Sequence, residues 1–471
     1  MAFRRNFAIV ESASTGRSGL SLFSALPCYD EAELARFIAA TKVTVSPGFV
    51  GLMAMQSIIH GVTGDPWIPC RRPVGFSRHS SAHRPRVAVI YHFFAHYREA
   101  IIERLARSEV ATFTFCGDDD HYEITIKGAQ LSAAVDFRAC PTTRIFRSIM
   151  WQRGIIAVAL SREFDQLILL GNPFWIATWI AALAGRLTGK RVHFWSHGFL
   201  EAPHGIKGMV RRLFFRLAHQ HLFYGRWAKQ HAIDVGWDPA LLHVVHNSLN
   251  IDSQIQQRQS ITPSELTALR AELFRNPSLP IAFCSCRLQP SKRLDMLIGA
   301  LAILKKQGVQ ANLLLVGDGS SRAQLEQLAR AAGIDSRFEG ACYDEARLAR
   351  LISASDVTVS PGFVGLTAIH SMIYGVPVVT HGTRGKQAPE VEAIIPGLTG
   401  DYFTLGDEED LARVMHRWLD RTTDRDSTRA ACVAMVENRW SPAFQQAVIE
   451  RAVIGYPSND LFHVHMRRIR P

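Results

Sequence analysis

The chain has 471 residues, which is too long for a single hydrophobic core and predicts two or three domains. Its hydrophobic fraction of 47% and charged fraction of 20% are ordinary for a folded globular protein. The net charge of +11 favours acidic partners such as nucleotide phosphates or anionic lipid, although a basic surface without a partner explains it too. No nucleic-acid-binding motif occurs, so nucleic acid is not an expected partner.

The N-terminal segment lacks the pattern of a secretory signal, because Arg4 and Arg5 precede only a short apolar stretch. The longest apolar run, Phe174 to Ala184, is far below the roughly 20 residues that a membrane span needs. Eight cysteines are scattered without a CxxC pair. This usage predicts a reduced, cytoplasmic chain with buried thiols and without a zinc site.

The chain contains an internal repeat, whose first copy lies near the N-terminus. Residues 28–62 and 342–376 are identical at 25 of 35 positions, at a constant offset of 314. Two copies so far apart do not make a solenoid, and one copy holds too little sequence for a core of its own. Residues 66–86 are rich in Pro, Ser, Arg and His and are interpreted as a linker. We therefore predict that residues 1–85 are a non-catalytic partial duplicate with its linker.

From Arg86 onward, short apolar runs alternate with amphipathic stretches, a rhythm typical of parallel βαβ units. The run from Arg86 to Tyr91 predicts the first strand, and a helix is predicted from about Tyr97 to Arg107. The further strands predicted in this half are Val110–Cys116, Gln166–Leu170, Arg191–Trp195, Gln220–Phe223 and Leu242–Val245.

The rhythm breaks between Asn247 and Pro280 and then restarts. The strands predicted after the break are Ile281–Cys286, Ala311–Val316, Ser336–Gly340, Asp356–Val359 and Pro377–Thr380. We predict an α/β chain of two Rossmann-like, doubly wound parallel-sheet domains that face each other across a cleft. The predicted boundaries are 86–255, 256–450 and a tail of 451–471.

Three segments of the first half are candidates for chemistry. His96 and Arg98 lie in the first strand-to-helix turn, where phosphate and substrate contacts are expected, although an ordinary helix start explains them as well. His197 follows a strand and precedes a glycine, at the edge that faces the predicted cleft. Asp118-Asp119-Asp120 has an Asp-x-Asp spacing that can hold a metal-bound nucleotide, but a solvated acidic turn is the favoured interpretation.

A basic helix is predicted from Lys207 to His219, where Lys207, Arg211, Arg212 and Arg216 alternate with apolar residues. Such a helix can lie on an anionic membrane surface. A buried helix with a basic outer face is the alternative.

The strongest site signal is the turn after the first strand of the second half. Arg287 and Lys292 lie five positions apart in Cys286-Arg-Leu-Gln-Pro-Ser-Lys-Arg293, and an apolar helix follows. This turn can direct a guanidinium and an ammonium at one diphosphate near a helix N-terminus. Two exposed basic residues in a loop are the plainer alternative.

The motif Arg287-Leu-x-x-x-Lys292 resembles the donor-phosphate motif of the family 4 retaining glycosyltransferases of GT-B fold, also called glycosyl transferases group 1. Four further segments follow the order and spacing of that family, and the likeness extends from residue 86 to about 450. They are Val244–Asn250, Leu315–Gly319, Ser360–Leu366 and Tyr374–Thr380. The resemblance implies that the first domain faces the acceptor and the second binds the nucleotide-sugar donor.

One departure from the family concerns two glutamates that it places eight positions apart. Here Gly362 and His370 stand at these positions. The resemblance implies that backbone amides of the loop hold the donor sugar and that a neutral His370 binds the ribose, unless His370 is a buried helix residue. The loop is Gly362, Phe363, Val364, Gly365 and Leu366, and this variant is similar to a branch found in surface-polysaccharide gene clusters.

The resemblance also implies roles for Glu390, His197 and the base-binding segment. Glu390 ends a loop that begins at Gly385, and it would orient Lys386 or Arg287 or contact the donor sugar, unless it is a solvent-exposed helix start. His197 would hydrogen-bond the acceptor or the donor sugar, and the nucleotide base is expected near Gly340 to Tyr343. Because the leaving phosphate can take the acceptor proton, Arg287 and Lys292 would supply the main catalytic effect.

The function expected from these residues is transfer of a hexosyl group, with retention, from a nucleotide diphosphate sugar to a glycan or lipid-linked sugar acceptor in surface polysaccharide biosynthesis. No metal and no cofactor are expected, and the protein would be cytoplasmic with peripheral contact to the inner membrane face. Two alternatives stay open: a nucleotide-sugar epimerase, and a catalytically inactive nucleotide-sugar or glycan-binding protein.

Overall fold

The alternating apolar and amphipathic segments fold into two parallel sheets, each covered by helices. The computed structural model describes residues 84–118, 127–146, 148–198, 205–420 and 425–458. All of these lie within the unit Pro73–Pro471. The partial duplicate at 28–62, most of its linker and the end of the predicted tail lie outside the described residues.

The first half contains nine strands and five helices within its described residues. Its strands are β1 (Arg86–Phe93), β2 (Thr112–Asp118), β3 (Asp136–Ala139), β4 (Thr142–Phe146), β5 (Ile149–Gln152), β6 (Gln166–Leu170), β7 (Arg191–Ser196), β8 (Gln220–Phe223) and β9 (Leu242–Val244). Its helices are α1 (Glu99–Ala106), α2 (Ile155–Leu160), α3 (Ile176–Leu187), α4 (Gly205–Phe215) and α5 (Arg226–Asp234).

Seven of these strands form one parallel sheet in the order β3-β2-β1-β6-β7-β8-β9. The order reverses at β1, which pairs with β2 on one side and with β6 on the other. Because β1 is buried on both faces, it is a continuous apolar run rather than an alternating one. The carboxyl ends of β1, β6 and β7 therefore meet at one edge, where a doubly wound sheet binds its ligand.

The second half contains six strands and nine helices within its described residues. The strands are β10 (Ile281–Ser285), β11 (Asn312–Val316), β12 (Ser336–Gly340), β13 (Val357–Ser360), β14 (Val378–His381) and β15 (Gly400–Phe403). The helices are α6 (Ile251–Ser260), α7 (Pro263–Leu273), α8 (Leu294–Lys306), α9 (Arg322–Ala331), α10 (Glu345–Ser353), α11 (Thr367–Ile373), α12 (Glu408–Leu419), α13 (Arg425–Arg439) and α14 (Pro442–Val453).

These six strands form a second parallel sheet in the order β12-β11-β10-β13-β14-β15. Leu297 and Leu301 of α8 pack against this sheet, together with Met415 of α12, and all three side chains are buried. The predicted pair of Rossmann-like, doubly wound sheets is thereby confirmed.

The chain crosses between the halves twice. It leaves the first half after β9, and it returns through Trp440 to α14, whose Phe444 and Val448 lie in the core of the first sheet. The two crossings touch, because the rings of His246 and Trp440 are 4.1 Å apart and Gln445 Nε2 donates to the His246 carbonyl at 2.7 Å. Helix α14 therefore packs with the first half, although the predicted boundary at 450 placed most of it with the second.

Most predicted strands agree with the observed ones to within two residues, whereas β3, β4, β5 and β15 were not predicted. They are four or five residues long, and β3 and β4 are largely exposed, so they lack an apolar pattern. The predicted break between 247 and 280 contains α6 and α7. Thr262-Pro263 begins α7 with a capping box, in which Thr262 and Glu265 bond each other's backbone N–H.

Three histidines are buried in the first sheet, on β7, β8 and β9. Burial lowers the pKa of His193, His221 and His243 to about 3 in each case. The unfolded chain takes up a proton at each of them below pH about 6.5, whereas the folded state does not. Stability is therefore present above pH about 6.5 and is lost as the pH falls, by up to about 1.4 kcal/mol per pH unit for each histidine.

His221 offers a direct test of this acid sensitivity. Its ring packs 5.4 Å from that of Phe223, and neither ring nitrogen has a hydrogen-bond partner within the described part of the chain. We expect His221→Phe to reduce the proton uptake on unfolding by about one and to raise the free energy of unfolding at pH 5 by about 2 kcal/mol. Urea unfolding at pH 7.5, 6 and 5 measures both quantities.

The control is His416→Phe on the exposed face of α12. Glu392 has the opposite effect on the pH dependence of stability, because burial raises its pKa to about 7. Its contribution to the free energy of unfolding therefore grows as the pH falls towards 4.5. Burial raises the pKa of Glu390 as well, so the parent chain should lose less stability on acidification than the three histidines alone would cause. Identical pH slopes for the parent chain and His221→Phe would contradict the assignment.

Candidate active site

The turn after β10 presents two basic side chains at the carboxyl edge of the second sheet. Leu288 is buried and anchors this turn, while Arg287 is exposed and bonds no other described side chain. Gly317 lies beneath the turn with a positive φ of 133°, and a Cβ there would be 1.9 Å from the Cys286 carbonyl oxygen. The following short 3-10 helix, Pro290–Lys292, sets Lys292 before α8.

The glycine-rich loop 362–366 packs directly on that turn. Lys292 Nζ donates to the carbonyl oxygen of Phe363 at 2.7 Å, and the Gly362 N–H donates to the Lys292 carbonyl at 3.2 Å. A Cβ at Gly362 would lie 2.5 Å from the backbone oxygen of Ser291. The structure thus brings Lys292 together with the predicted sugar-binding loop Gly362–Leu366.

Gln387 fixes the other side of this loop. Its amide nitrogen donates to the carbonyl oxygens of Gly362 and His381, and its amide oxygen accepts from the Val364 N–H at 3.0 Å. A fourth bond joins it to the Thr380 hydroxyl at 2.9 Å. The sequence analysis missed this buried residue, because a lone glutamine in a loop carries no pattern.

In the first half, His197 lies at the carboxyl end of β7. Its ring packs 4.7 Å from that of Tyr224, and the other side opens onto the cleft. Desolvation, followed by the positive charge of Arg98, lowers the pKa of His197 to about 4. At neutral pH this imidazole is uncharged and can accept as well as donate a hydrogen bond.

Arg98 itself is buried in a cage of aromatic side chains. Its guanidinium donates to the hydroxyls of Tyr91 and Tyr224 and lies 4.5 Å from the Tyr91 ring centroid and 5.1 Å from that of Trp195. Within the described residues no carboxylate forms an ion pair with it. Arg98 therefore contributes positive charge from behind the cleft wall rather than an exposed side chain.

Two carboxyl groups of the second half reach the first half. Glu390 is 2% exposed and accepts a hydrogen bond from Asn247 Nδ2 at 2.6 Å, and burial raises its pKa. Glu392 accepts from the N–H groups of Arg226 and Trp227 at 2.6 and 2.9 Å, at the N-terminus of α5. Because Glu390 is buried, the interpretation as a solvent-exposed helix start is wrong. The sequence analysis missed Asn247 and Glu392.

Comparison with known proteins identifies the second half. Residues 267–433 match the family model described as glycosyl transferases group 1, a range that contains the Arg287 turn, the 362–366 loop and Glu390. A mannosyltransferase of Corynebacterium glutamicum, named as GDP-mannose-dependent and acting on monoacylated α-(1-6)-phosphatidylinositol monomannoside, is 29% identical over 191 residues. Residues 267–433 are thus similar to the group 1 glycosyltransferases.

The matched regions cover only part of the related proteins. The C. glutamicum alignment spans 38% of this chain and 48% of that enzyme. A phosphatidylinositol dimannoside mannosyltransferase of Mycobacterium tuberculosis is 38% identical over 100 residues, which cover 21% of this chain and 26% of the relative. The chain thus spans about half, or less, of these relatives.

Solved structures share the fold across nearly their whole length. The Anabaena protein HepE in complex with UDP aligns with a TM-score of 0.59 at 17% identity, covering 78% of this chain and 99% of HepE. The lipopolysaccharide outer core galactosyltransferase WaaB aligns with a TM-score of 0.56 at 15% identity over 78% and 99% of the two chains. These likenesses establish the GT-B fold.

His370 is engaged with a residue that the sequence analysis did not single out. Its Nε2 lies 2.9 Å from Glu345 Oε1, which also accepts from the Tyr374 hydroxyl at 2.6 Å. His370 and Tyr374 thus hold a carboxylate beside the carboxyl edge of the second sheet. Contact between His370 and a ribose stays a prediction.

The remaining predicted residues occupy separate places in the structure. His96 is exposed, and its Nδ1 lies 3.3 Å from the carbonyl oxygen of Lys127. Lys127 also lies 5.1 Å from the ring centroid of Tyr343, in the segment predicted to bind the base. Asp118 accepts from the Thr142 N–H at 2.7 Å, while Asp119 and Asp120 lie outside the described residues. Over the described residues, no group of three or more His, Cys, Asp or Glu side chains could hold a metal ion.

A pocket of about 160 Å³ opens between the halves beside His197. Helix α5 forms one wall, and residues of the 384–392 segment form the other. Gln387 and Glu392 line it, so the pocket adjoins both the glycine-rich loop and the N-terminus of α5.

Proposed function

We propose that the chain transfers a hexosyl group, with retention of anomeric configuration, from a nucleotide diphosphate sugar to a glycan or lipid-linked sugar acceptor. The observation that carries the proposal is the contact between the Arg287 turn and the 362–366 loop. This contact holds Lys292 against the glycine-rich loop, within the segment that matches the family model.

The donor class follows from charge and from the relatives. Arg287 and Lys292 offer a guanidinium and an ammonium to one diphosphate, and the Lys292 bond to Phe363 ties the phosphate turn to the sugar loop. Relatives are named as GDP-mannose-dependent, and HepE has been crystallised with UDP and with UDP-glucose. These names support a nucleotide-sugar donor.

The chemical step is supported by electrostatic stabilisation. As the bond from the anomeric carbon to the diphosphate breaks, negative charge grows on the leaving phosphate, where Arg287 and Lys292 would stabilise it. His197 is neutral at pH 7 because its pKa is about 4, so it would orient hydroxyls by hydrogen bonding rather than by charge. The leaving phosphate then takes the acceptor proton, which makes a strong protein base unnecessary.

Glu390 would complete the donor side. Its carboxyl is buried, held by Asn247, and subject to the field of Arg98. A fixed carboxyl of this kind can accept hydrogen bonds from sugar hydroxyls, which the glycine at 362 cannot do with a side chain. The proposed role of Glu390 is therefore to hold the donor sugar.

The test of the proposed function is binding followed by turnover. Purified protein is heated with UDP-, GDP- and dTDP-sugars, and the nucleotide class that raises Tm is then assayed for release of nucleoside diphosphate with and without glycosides. Stabilisation with acceptor-dependent release supports transfer. Stabilisation without release favours the binding protein, and conversion of the free nucleotide sugar favours the epimerase. The absence of any Tm shift or release would contradict the proposal.

The same proposal includes the class of acceptor and the location of the protein. The mannosyltransferase relatives are named for phosphatidylinositol mannosides, which supports a lipid-linked acceptor; a surface-polysaccharide role rests on the variant loop. The proposed location is cytoplasmic, at the inner face of the membrane. None of the described helices is long and apolar enough to span a bilayer.

A membrane-facing surface is proposed on α3 and α4, which touch through the rings of Trp179 and Phe214 at 4.8 Å. The exposed large apolar side chains of these two helices are Ile176, Ile180, Leu183, Leu187, Met209, Val210 and Leu213. Exposed Lys207 and Arg212 lie on α4 with three of them, and exposed Arg216 directly follows this helix. Apolar side chains flanked by cations match the interface of an anionic bilayer.

We expect Leu187→Glu combined with Leu213→Glu to weaken binding to phosphatidylglycerol vesicles by about tenfold or more, because two apolar contacts are lost and two negative charges are added. Both side chains are exposed, at 80% and 58%, so folding should be unaffected. Co-sedimentation with vesicles at 50 and 300 mM salt measures the effect, and Leu405→Glu on the second half is the control. Equal sedimentation of both variants would contradict this surface.

A further inference from the structure

The pocket beside His197 has one wall made by a single face of α5. Trp227, Gln230, His231 and Asp234 line it, at positions i, i+3, i+4 and i+7 of the helix. Residues at these spacings project from the same side of an α-helix. An indole, an amide, an imidazole and a carboxylate are thus arranged along one wall of the cavity.

The opposite wall comes from the second half. Arg384 lies with its guanidinium carbon 5.4 Å from the centroid of the Trp227 ring, and Gln387 and Glu392 also line the cavity. Arg384 and Asp234 are exposed, and they contribute one positive and one negative charge. Arg287 and Lys292 are not among the lining residues, so this cavity lacks the paired cations that a diphosphate needs.

These groups suit a sugar ring. A pyranose presents a face of C–H groups that packs on an aromatic ring, and its hydroxyls both donate and accept hydrogen bonds at its edge. Trp227 supplies the aromatic ring, over which the exposed Arg384 guanidinium lies and from which it would turn aside for the sugar. Gln230, Asp234 and Arg384 supply donors and acceptors. A cavity of about 160 Å³ has room for a sugar ring.

The position of the pocket indicates that it binds the acceptor rather than the donor. Gln387 forms part of its wall and also bonds Gly362 and Val364 of the predicted donor loop. A ring in the pocket would therefore lie on the far side of Gln387 from that loop, with His197 at the shared border. We propose that this pocket binds the sugar unit of the acceptor that receives the hexosyl group. This inference rests on the function proposed above.

The experiment compares two readouts on one set of variants. Hydrolysis of the nucleotide sugar by water reports the donor site, and transfer to methyl α-D-glucopyranoside, methyl α-D-mannopyranoside or methyl α-D-galactopyranoside reports the pocket. We expect Trp227→Ala to raise KM for the accepted glycoside by about tenfold while the hydrolysis parameters change less than about twofold. Trp227→Phe, which keeps an aromatic face, should restore most of the affinity.

Arg384→Ala provides a second variant that carries no risk to folding, because Arg384 is exposed. It should raise the glycoside KM by about threefold to tenfold through lost hydrogen bonds. Arg330→Ala on α9, whose side chain is 70% exposed and far from the lining residues in sequence, is the matched control and should change neither readout.

The outcomes separate this inference from the proposed function. A rise in donor KM with unchanged glycoside KM would overturn the inference and assign the pocket to the donor sugar. Unchanged kinetics in both variants would overturn it while leaving transfer intact. If the parent chain neither hydrolyses nor transfers, glycoside binding is measured by saturation-transfer NMR. Binding that Trp227→Ala abolishes would then support a sugar pocket although the proposed function fails, and binding that persists would overturn both.

Discussion

Replacing Arg287 with alanine is expected to lower kcat for hexosyl transfer by about 100- to 1000-fold. The guanidinium is exposed at the carboxyl edge of the second sheet and forms no hydrogen bond or ion pair with another described residue, so its removal should leave the fold intact. Its proposed partner is the diphosphate, on which charge grows as the glycosidic bond breaks. Steady-state kinetics with the nucleotide sugar identified by thermal stabilisation measures the loss.

Arg287→Lys and Arg330→Ala are the matched variants. A lysine keeps the charge but loses the planar, two-pronged donor, so we expect it to recover only part of the activity. Arg330 also carries an exposed guanidinium on the second half, and its replacement should leave kcat unchanged. An Arg287→Ala protein that retains full kcat and full Tm stabilisation by the nucleotide would remove the diphosphate role from this residue.

Gly362→Ala is expected to raise KM for the donor by about tenfold or more and to lower the free energy of unfolding by about 1–3 kcal/mol. The new methyl group would meet the Ser291 carbonyl oxygen at 2.5 Å and Lys292 Cα at 3.0 Å. Both are backbone atoms, so no side-chain rotation can relieve these close contacts. The loop must therefore shift away from the turn, which lengthens the bond from Lys292 to the Phe363 carbonyl.

Gly189→Ala separates steric displacement from general destabilisation. Gly189 has a positive φ of 76° with nothing within 4 Å of its added Cβ, so alanine costs backbone strain of about 1–2 kcal/mol without a clash. Both variants should unfold at lower urea concentration, but only Gly362→Ala should lose donor affinity. Normal donor KM in Gly362→Ala would show that the contact between loop and turn is not part of the donor site.

The buried strands of this chain could be predicted because their signal is local. Gln166–Leu170 has the predicted bounds and Ile281–Ser285 ends one residue before its predicted end, since an apolar run between helical stretches marks each of them. The phosphate turn was also predictable, because Arg287 and Lys292 are close in sequence. The edge strand β3 was not, since it is held by pairing with β2 rather than by apolar side chains of its own.

The parts of the site that join distant segments were not predictable. Asn247 and Glu390 are 143 positions apart, and Glu392 reaches Arg226 across 166 positions. No local pattern distinguishes a carboxylate that bonds the other half from one that faces water. Arg98 is a mixed case. Its position in the first strand-to-helix turn could be predicted, whereas its aromatic surroundings could not, because they include Tyr224 from a distant segment.

The two chain crossings have a mechanical consequence. Two domains joined by one connecting segment can rotate relative to each other about many axes. Two connecting segments that contact each other form a hinge with one defined axis. Here Ser248 of the first crossing donates to Gln445 beyond the second at 2.8 Å, in addition to the contacts of His246 with Trp440. We therefore expect any opening of the cleft to be a rotation about the axis through these two contacting segments.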